Sequence, residues 1–111
     1  MEKKLGKIEN VYFGIGGYQD AEIGLHVTLS SDSWVFNYSK STWDSEIIKH
    51  TERCKWTESD RDLQHAKIVR FISKLLKEAK VNTVEKLKGI PIEATFEGKN
   101  LKEWRVLTEV I

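Results

Sequence analysis

The sequence predicts an α+β fold: an antiparallel sheet of about five strands, in the order β-β-β-α-β-β, packed on one long helix. Three observations predict it. Residues 21–29 alternate strictly between apolar and polar, the period of a half-buried strand. From residue 57 onward a capped stripe of apolar residues recurs at helical spacing. The connections legible between strands are short, glycine-rich or polar, which makes them antiparallel hairpins. A doubly wound α/β arrangement is disfavoured, because one helix cannot cover both faces of a sheet. The 111 residues suit one domain, residues 1–111, long enough to bury a modest core without metal or disulfide.

Residues 7–13 read as the first strand. In residues 21–29, Ala21, Ile23, Leu25, Val27 and Leu29 take one face, and Glu22, Gly24, His26 and Thr28 the other. Between these strands lies Gly14-Ile-Gly-Gly-Tyr-Gln-Asp20, whose glycines permit a tight or bulged hairpin. Ser30-Ser-Asp-Ser33 is a turn by composition. Trp34, Val35, Phe36 and Tyr38 suit a third strand. Residues 39–56 show no period and read as a long aromatic loop holding Trp43, His50, Cys54 and Trp56. Thr57-Glu-Ser-Asp60 and Ser59-Asp-Arg-Asp62 are overlapping capping patterns. After them, Ile68, Val69, Ile72, Leu75, Leu76 and Ala79 form an apolar stripe, and about 24 helical residues make a rod of about 36 Å. Thr83 can cap a short turn through Leu87, closed by Gly89. Residues 90–96 and 101–111 form a hairpin about Glu97-Gly-Lys-Asn100, with Pro91 expected at a strand start or an edge.

The chain is 40% hydrophobic and 32% charged, an ordinary globular balance. Its apolar runs are too short for a membrane span, and the charged first residues do not resemble a secretory signal. One cysteine excludes an intrachain disulfide, so a reducing cytoplasm is expected. A net charge of +1 is not the usual footprint of a nucleic-acid binder. The charge is nevertheless uneven: residues 61–88 hold eight basic residues against three acidic ones, leaving −4 elsewhere. Lys67, Arg70, Lys74 and Lys77 line one helical face, which reads either as a solvated surface or as a nucleic-acid contact.

Little in the sequence carries catalytic chemistry. The glycine segment lacks the Lys-Ser/Thr and the following helix of a phosphate-binding loop. His50, Cys54 and His65 fall short of a zinc ligand set, and Cys54 has no evident orienting partner for a nucleophilic role. Glu58, Asp60 and Asp62 beside His65 are better explained by helix capping than by a metal site, so no metal or cofactor is expected. Binding is the stronger reading. Gly16 and Gly17 would hold Tyr18, Gln19 and Asp20 at a sheet end, where a phenol, an amide and a carboxylate meet a partner. Trp43 and Trp56 bracket the aromatic loop and can anchor a partner, and Arg61 and Arg105 can meet a carboxylate or phosphate, or form internal ion pairs. Trp104 is expected in the core.

Five segments carry a family resemblance: Phe13-Gly-x-Gly-Gly-Tyr-Gln-Asp-Ala21, Trp56-Thr-Glu-x-Asp-Arg61, Leu75-Leu-x-x-Ala-Lys-Val81, Leu87-Lys-Gly-x-Pro-x-Glu93 and Trp104-Arg-Val-Leu-Thr-Glu109. Over nearly its whole length the chain resembles the small, roughly 110-residue proteins encoded by tailed phages and prophages. The resemblance implies action in a bacterial cytoplasm and brings no catalytic residues with it. A phage protein of this size without an enzyme motif is expected to be a non-enzymatic accessory binding protein, such as a counter-defence factor. It would sequester a small anionic ligand, a signalling nucleotide for example, or block a host protein. The alternative is a nucleic-acid-associated regulator using the basic helix face; a small hydrolase ranks behind both. An exposed edge strand or aromatic patch is also compatible with a homo-oligomer.

Overall fold

The computed structural model describes residues 1–44 and 57–111. Five strands form one antiparallel sheet: β1 (Glu2–Gly16), β2 (Glu22–Ser30), β3 (Val35–Trp43), β4 (Pro91–Glu97) and β5 (Asn100–Val106). They lie side by side in the order β3-β2-β1-β4-β5. One long helix, α1 (Glu58–Ala79), sits between β3 and β4 in the chain. The α+β architecture and the β-β-β-α-β-β order expected from the sequence are therefore those of the fold.

The element bounds differ in three places. β1 extends beyond residues 7–13 in both directions, because its two halves find partners on opposite sides. Residues 2–7 pair with β4, and residues 7–16 pair with β2, with a bulge between Ile8 and Asn10. The glycine segment is therefore mostly strand, with Gly14 opposite Gly24 and Gly16 opposite Glu22. β3 continues through Trp43 because each residue from Ser39 to Trp43 pairs with β2. Those five residues alternate no apolar groups, so period gave no signal for them. The last strand ends at Val106, and Thr108–Val110 close the chain in a 3₁₀ turn. His50, Cys54 and Trp56 lie outside the described residues.

α1 starts where the capping pattern places it. The Thr57 hydroxyl accepts from the Asp60 N–H at 3.1 Å, and the Asp60 carboxylate accepts from the Thr57 N–H at 2.9 Å. This reciprocal pair satisfies two donors that no helical carbonyl can reach. The backbone N–H of Thr57 holds the Asp60 carboxyl below its ordinary range. Lys80, in the left-handed region at φ 58°, ends the helix.

One face of the sheet carries Ile8, Leu25, Val27, Leu29, Ile92, Ala94, Phe96 and Val106 into the core with Leu75 and Ala79 of α1. The sheet curls strongly. Tyr38 of β3 and Trp104 of β5 lie on opposite edge strands, yet their rings sit 5.6 Å apart in edge-to-face contact. Phe71 of α1 touches both rings, at 6.0 and 6.3 Å. This aromatic trio closes the curl over the helix, and Trp104 is packed against the core as its strand position suggested. Burial raises the Tyr38 phenol above its usual range.

Candidate functional site

Among the described residues, the β1–β2 connection holds two successive non-glycine residues at positive φ. Gly17 adopts φ 68°, and Gln19 and Asp20 follow at φ 58° and 50°. Left-handed backbone at two successive non-glycine residues is strained, by about 1–2 kcal/mol each. It persists because the turn is clamped. The Gly17 and Tyr18 carbonyls accept from the Asp20 and Ala21 N–H groups at 3.2 and 3.3 Å. The Glu22 carboxylate then accepts from the Tyr18 N–H at 3.0 Å through one oxygen and from the Ser41 hydroxyl at 2.7 Å through the other. Glu22 thus ties the tip to β3. Gly16 has a steric role, because a Cβ there would lie 2.1 Å from the Tyr12 hydroxyl.

This clamp presents Tyr18, 68% exposed, with its ring edge-on to Trp43 at 6.2 Å between centroids. Two hollows flank the tip. One, of about 450 Å³, is lined by Glu22, Ser41, Trp43 and by Asp60, Arg61 and Gln64 from the first turns of α1. Arg61 forms an ion pair with Glu58. The hollow therefore sets two carboxylates against one guanidinium.

The second hollow, of about 510 Å³, lies on the sheet face away from the helix and holds Tyr12, Tyr18, His26, Asn37 and Ser39. His26 is its floor, 6% exposed, with the Tyr12 ring tilted over it at 4.9 Å. Its Nε2 is 3.2 Å from both the Gly14 and the Glu22 carbonyl oxygens. Carbonyls only accept, so Nε2 carries a proton, and Nδ1 is hydrogen-bonded with the Ser39 hydroxyl at 2.8 Å. His26 thereby ties β1, β2 and β3 together beneath the tip. Thr28 donates to Asn37 beside it at 2.9 Å.

Of the residues singled out in the sequence, Gly16, Gly17, Tyr18, Gln19, Asp20, Trp43 and Arg61 gather at this one end of the sheet. Arg105 does not join them. It lies on β5, where Nε donates to Glu93 at 3.2 Å and the two terminal nitrogens grip Glu109 at 2.8 and 2.7 Å. The bidentate pair raises the guanidinium pKa and holds the Glu109 carboxyl down at about 2. Because the carboxyl is depressed in the folded state, its contribution to stability is present above the ordinary carboxylate range. That contribution fades as pH falls towards 2. Glu109→Gln is accordingly expected to flatten the acid limb of stability between pH 4.5 and 2, lowering stability above pH 4.5 and leaving it little changed near pH 2, read by denaturant midpoints across pH.

Sequence reasoning missed Glu22, His26 and Ser39, which support the tip. The signal was present, since Glu22 and His26 fall on the polar face of the clean alternation in residues 22–28. What alternation does not encode is that this face carries a polar network with Ser39 and Ser41 of the neighbouring strand. Among the described residues no group of histidine, cysteine and carboxylates is arranged to hold a metal. His65 lines a small apolar hollow with Phe13, Ile23 and Val69. Among the described residues, no helix is long and apolar enough to cross a membrane. No protein-family model, curated protein or solved structure matches the chain.

Proposed function

We propose that this chain is a non-enzymatic phage accessory protein that binds and disables a host protein in the bacterial cytoplasm, as a counter-defence factor, through the Tyr18–Trp43 tip. One observation carries the reading: a strained turn, clamped by Glu22, that holds a largely exposed Tyr18 ring against Trp43. Strain of this kind persists where the surroundings enforce it, and it concentrates at functional positions. Exposed, rigid aromatic rings are the usual anchors of protein interfaces. The motif resemblance supports the phage assignment. The charge of the neighbouring hollow favours a protein surface over a small anion, because Glu22 and Asp60 outnumber Arg61 there.

The test is to isolate the tagged chain from its bacterial host and to analyse both the proteins that accompany it and the small molecules released on denaturation. A stoichiometric host protein, lost with Tyr18→Ala, is the expected result. A released nucleotide would replace the host-protein reading with ligand sequestration, and neither would overturn both.

A second reading has its own observation. Lys67, Arg70, Lys74 and Lys77 are all exposed, and among the described residues none of them forms an ion pair with a carboxylate. Four free cations on one helix face fit a phosphate backbone. If they bind nucleic acid, log affinity is expected to fall against log salt with a slope of about 3–4, reduced by about 1 for each lysine removed, as titrations in rising salt would report.

A further inference from the structure

We infer that the open edge of β1 is a self-association site, at which a second copy of this chain adds its own β1 antiparallel and joins the two sheets across a two-fold axis. β4 accompanies β1 only as far as Lys7, and the Gly89 N–H and Ile90 carbonyl complete the backbone pairing at Ile8. From Asn10 to Gly16 the strand is paired with β2 alone among the described residues. Its other side therefore presents a row of N–H and C=O groups without strand partners, the template for an added strand.

Natural edges are usually guarded by charge, proline or a covering element. The β5 edge is guarded by Lys102, Glu103 and Arg105. The β1 edge is guarded less: the nine residues from Asn10 to Tyr18 carry no charge and no proline, and Val84 and Glu85 of the short turn at 84–87 line only the hollow beside Val11 and Phe13. The side chains beside it are apolar and exposed. Phe13 is 54% and Ile15 51% exposed, and Val69 of α1, which lines two hollows with Phe13, is 64% exposed. α1 packs chiefly against β3, which leaves Phe13 and Ile15 half exposed.

The occupant follows from self-complementarity. A two-fold axis normal to the sheet keeps the helix-side residues of both copies on one side, so each residue must face one of the same side-chain parity. An axis through Phe13 sets Phe13 opposite Phe13 of the second copy and Val11 opposite Ile15, all helix-side and apolar. On the other face it sets Tyr12 opposite Gly14 and Asn10 opposite Gly16, none of them charged. No charged residue faces another across these pairs, so the edge can meet its own copy without like-charge repulsion. The contact is isologous and closes as a dimer.

Light scattering on the full chain at micromolar concentration tests this. The expected mass is twice 12.9 kDa for the wild type and for Tyr18→Ala, and the monomer mass for Phe13→Lys and Ile15→Lys. Circular dichroism should show both lysine variants folded, because both side chains are already half exposed. Should either variant fail to fold, Phe13→Cys in a Cys54→Ser background gives an independent reading. Facing residues of paired strands lie within disulfide reach, so oxidation should yield a covalent dimer. A monomeric wild type, or a dimer that neither lysine disrupts and Phe13→Cys does not cross-link, would overturn the inference. An edge that takes a strand from another protein instead would appear as a wild type monomeric on its own.

Discussion

Under the proposed host-protein reading, Tyr18→Ala is expected to weaken binding by about 30-fold to 1,000-fold, the loss of about 2–4 kcal/mol that follows when a central aromatic anchor is truncated. The argument rests on position. The ring is 68% exposed, so in the free chain it contributes little to the core, and its removal should shift stability by no more than about 0.5 kcal/mol. Its backbone is nonetheless fixed, because the Tyr18 N–H donates to Glu22 and its carbonyl accepts from Ala21. A partner therefore meets an aromatic group whose ordering has already been completed by folding, which is where binding gains most from preorganisation. Tyr18→Phe keeps the ring and its edge contact with Trp43, and should lose only the part contributed by the hydroxyl. Calorimetry with the captured partner, alongside a thermal melt of each variant, separates the two effects. Unchanged affinity for Tyr18→Ala in a folded chain would remove the tip from the interface.

Leu25→Ala is expected to destabilise the fold by about 2–5 kcal/mol. Leu25 is fully buried at the middle of β2, opposite Phe13 on one neighbour and Lys40 on the other. Neither flank can close the space. Phe13 already points to a half-exposed surface, and relaxation of the Lys40 stem would draw an ammonium towards the core. The residual cavity should therefore persist, which puts the cost in the upper part of that range. Domains of this size are stable by only about 5–15 kcal/mol, so the variant should melt far below the wild type. A Tm within a few degrees of wild type would show that Leu25 is not the sheet's central packing residue.

The two predictions draw on different levels of legibility. The burial of Leu25 was readable from alternation alone, because a strand with one buried face must repeat every second residue. The same applies to α1, whose capping residues Thr57 and Asp60 act through groups three positions apart and need no distant partner. The turn at Tyr18 was partly readable: glycines marked it, but its extent was not. Ile15 between two glycines looks like loop in isolation, and becomes strand because Ile23 stands opposite it in the register of β2. Trp43 looked like part of a loop for the same reason, since Ser39, Lys40, Ser41 and Thr42 have no apolar period and are held in β3 by their pairing with β2.

Arg105 shows the opposite limit. Its residue type suggested a ligand contact as readily as an ion pair, and only the fold brings Glu93 from the neighbouring strand and Glu109 from the closing turn to either side of it. His26 was equally hidden, because its three partners come from three strands.

By itself, then, the sequence determined the class of fold, the apolar faces of β2 and α1, the ends of the helix and the place of the turn. These depend on interactions within a few residues or on simple periods. The tertiary structure alone decided which loop residues became strand, how Glu22 and His26 lock the tip, which arginine is consumed internally and which strands the helix packs on. Each of those is a contact between groups distant in the chain, set by register and by where the helix packs on the sheet, and no local pattern encodes it.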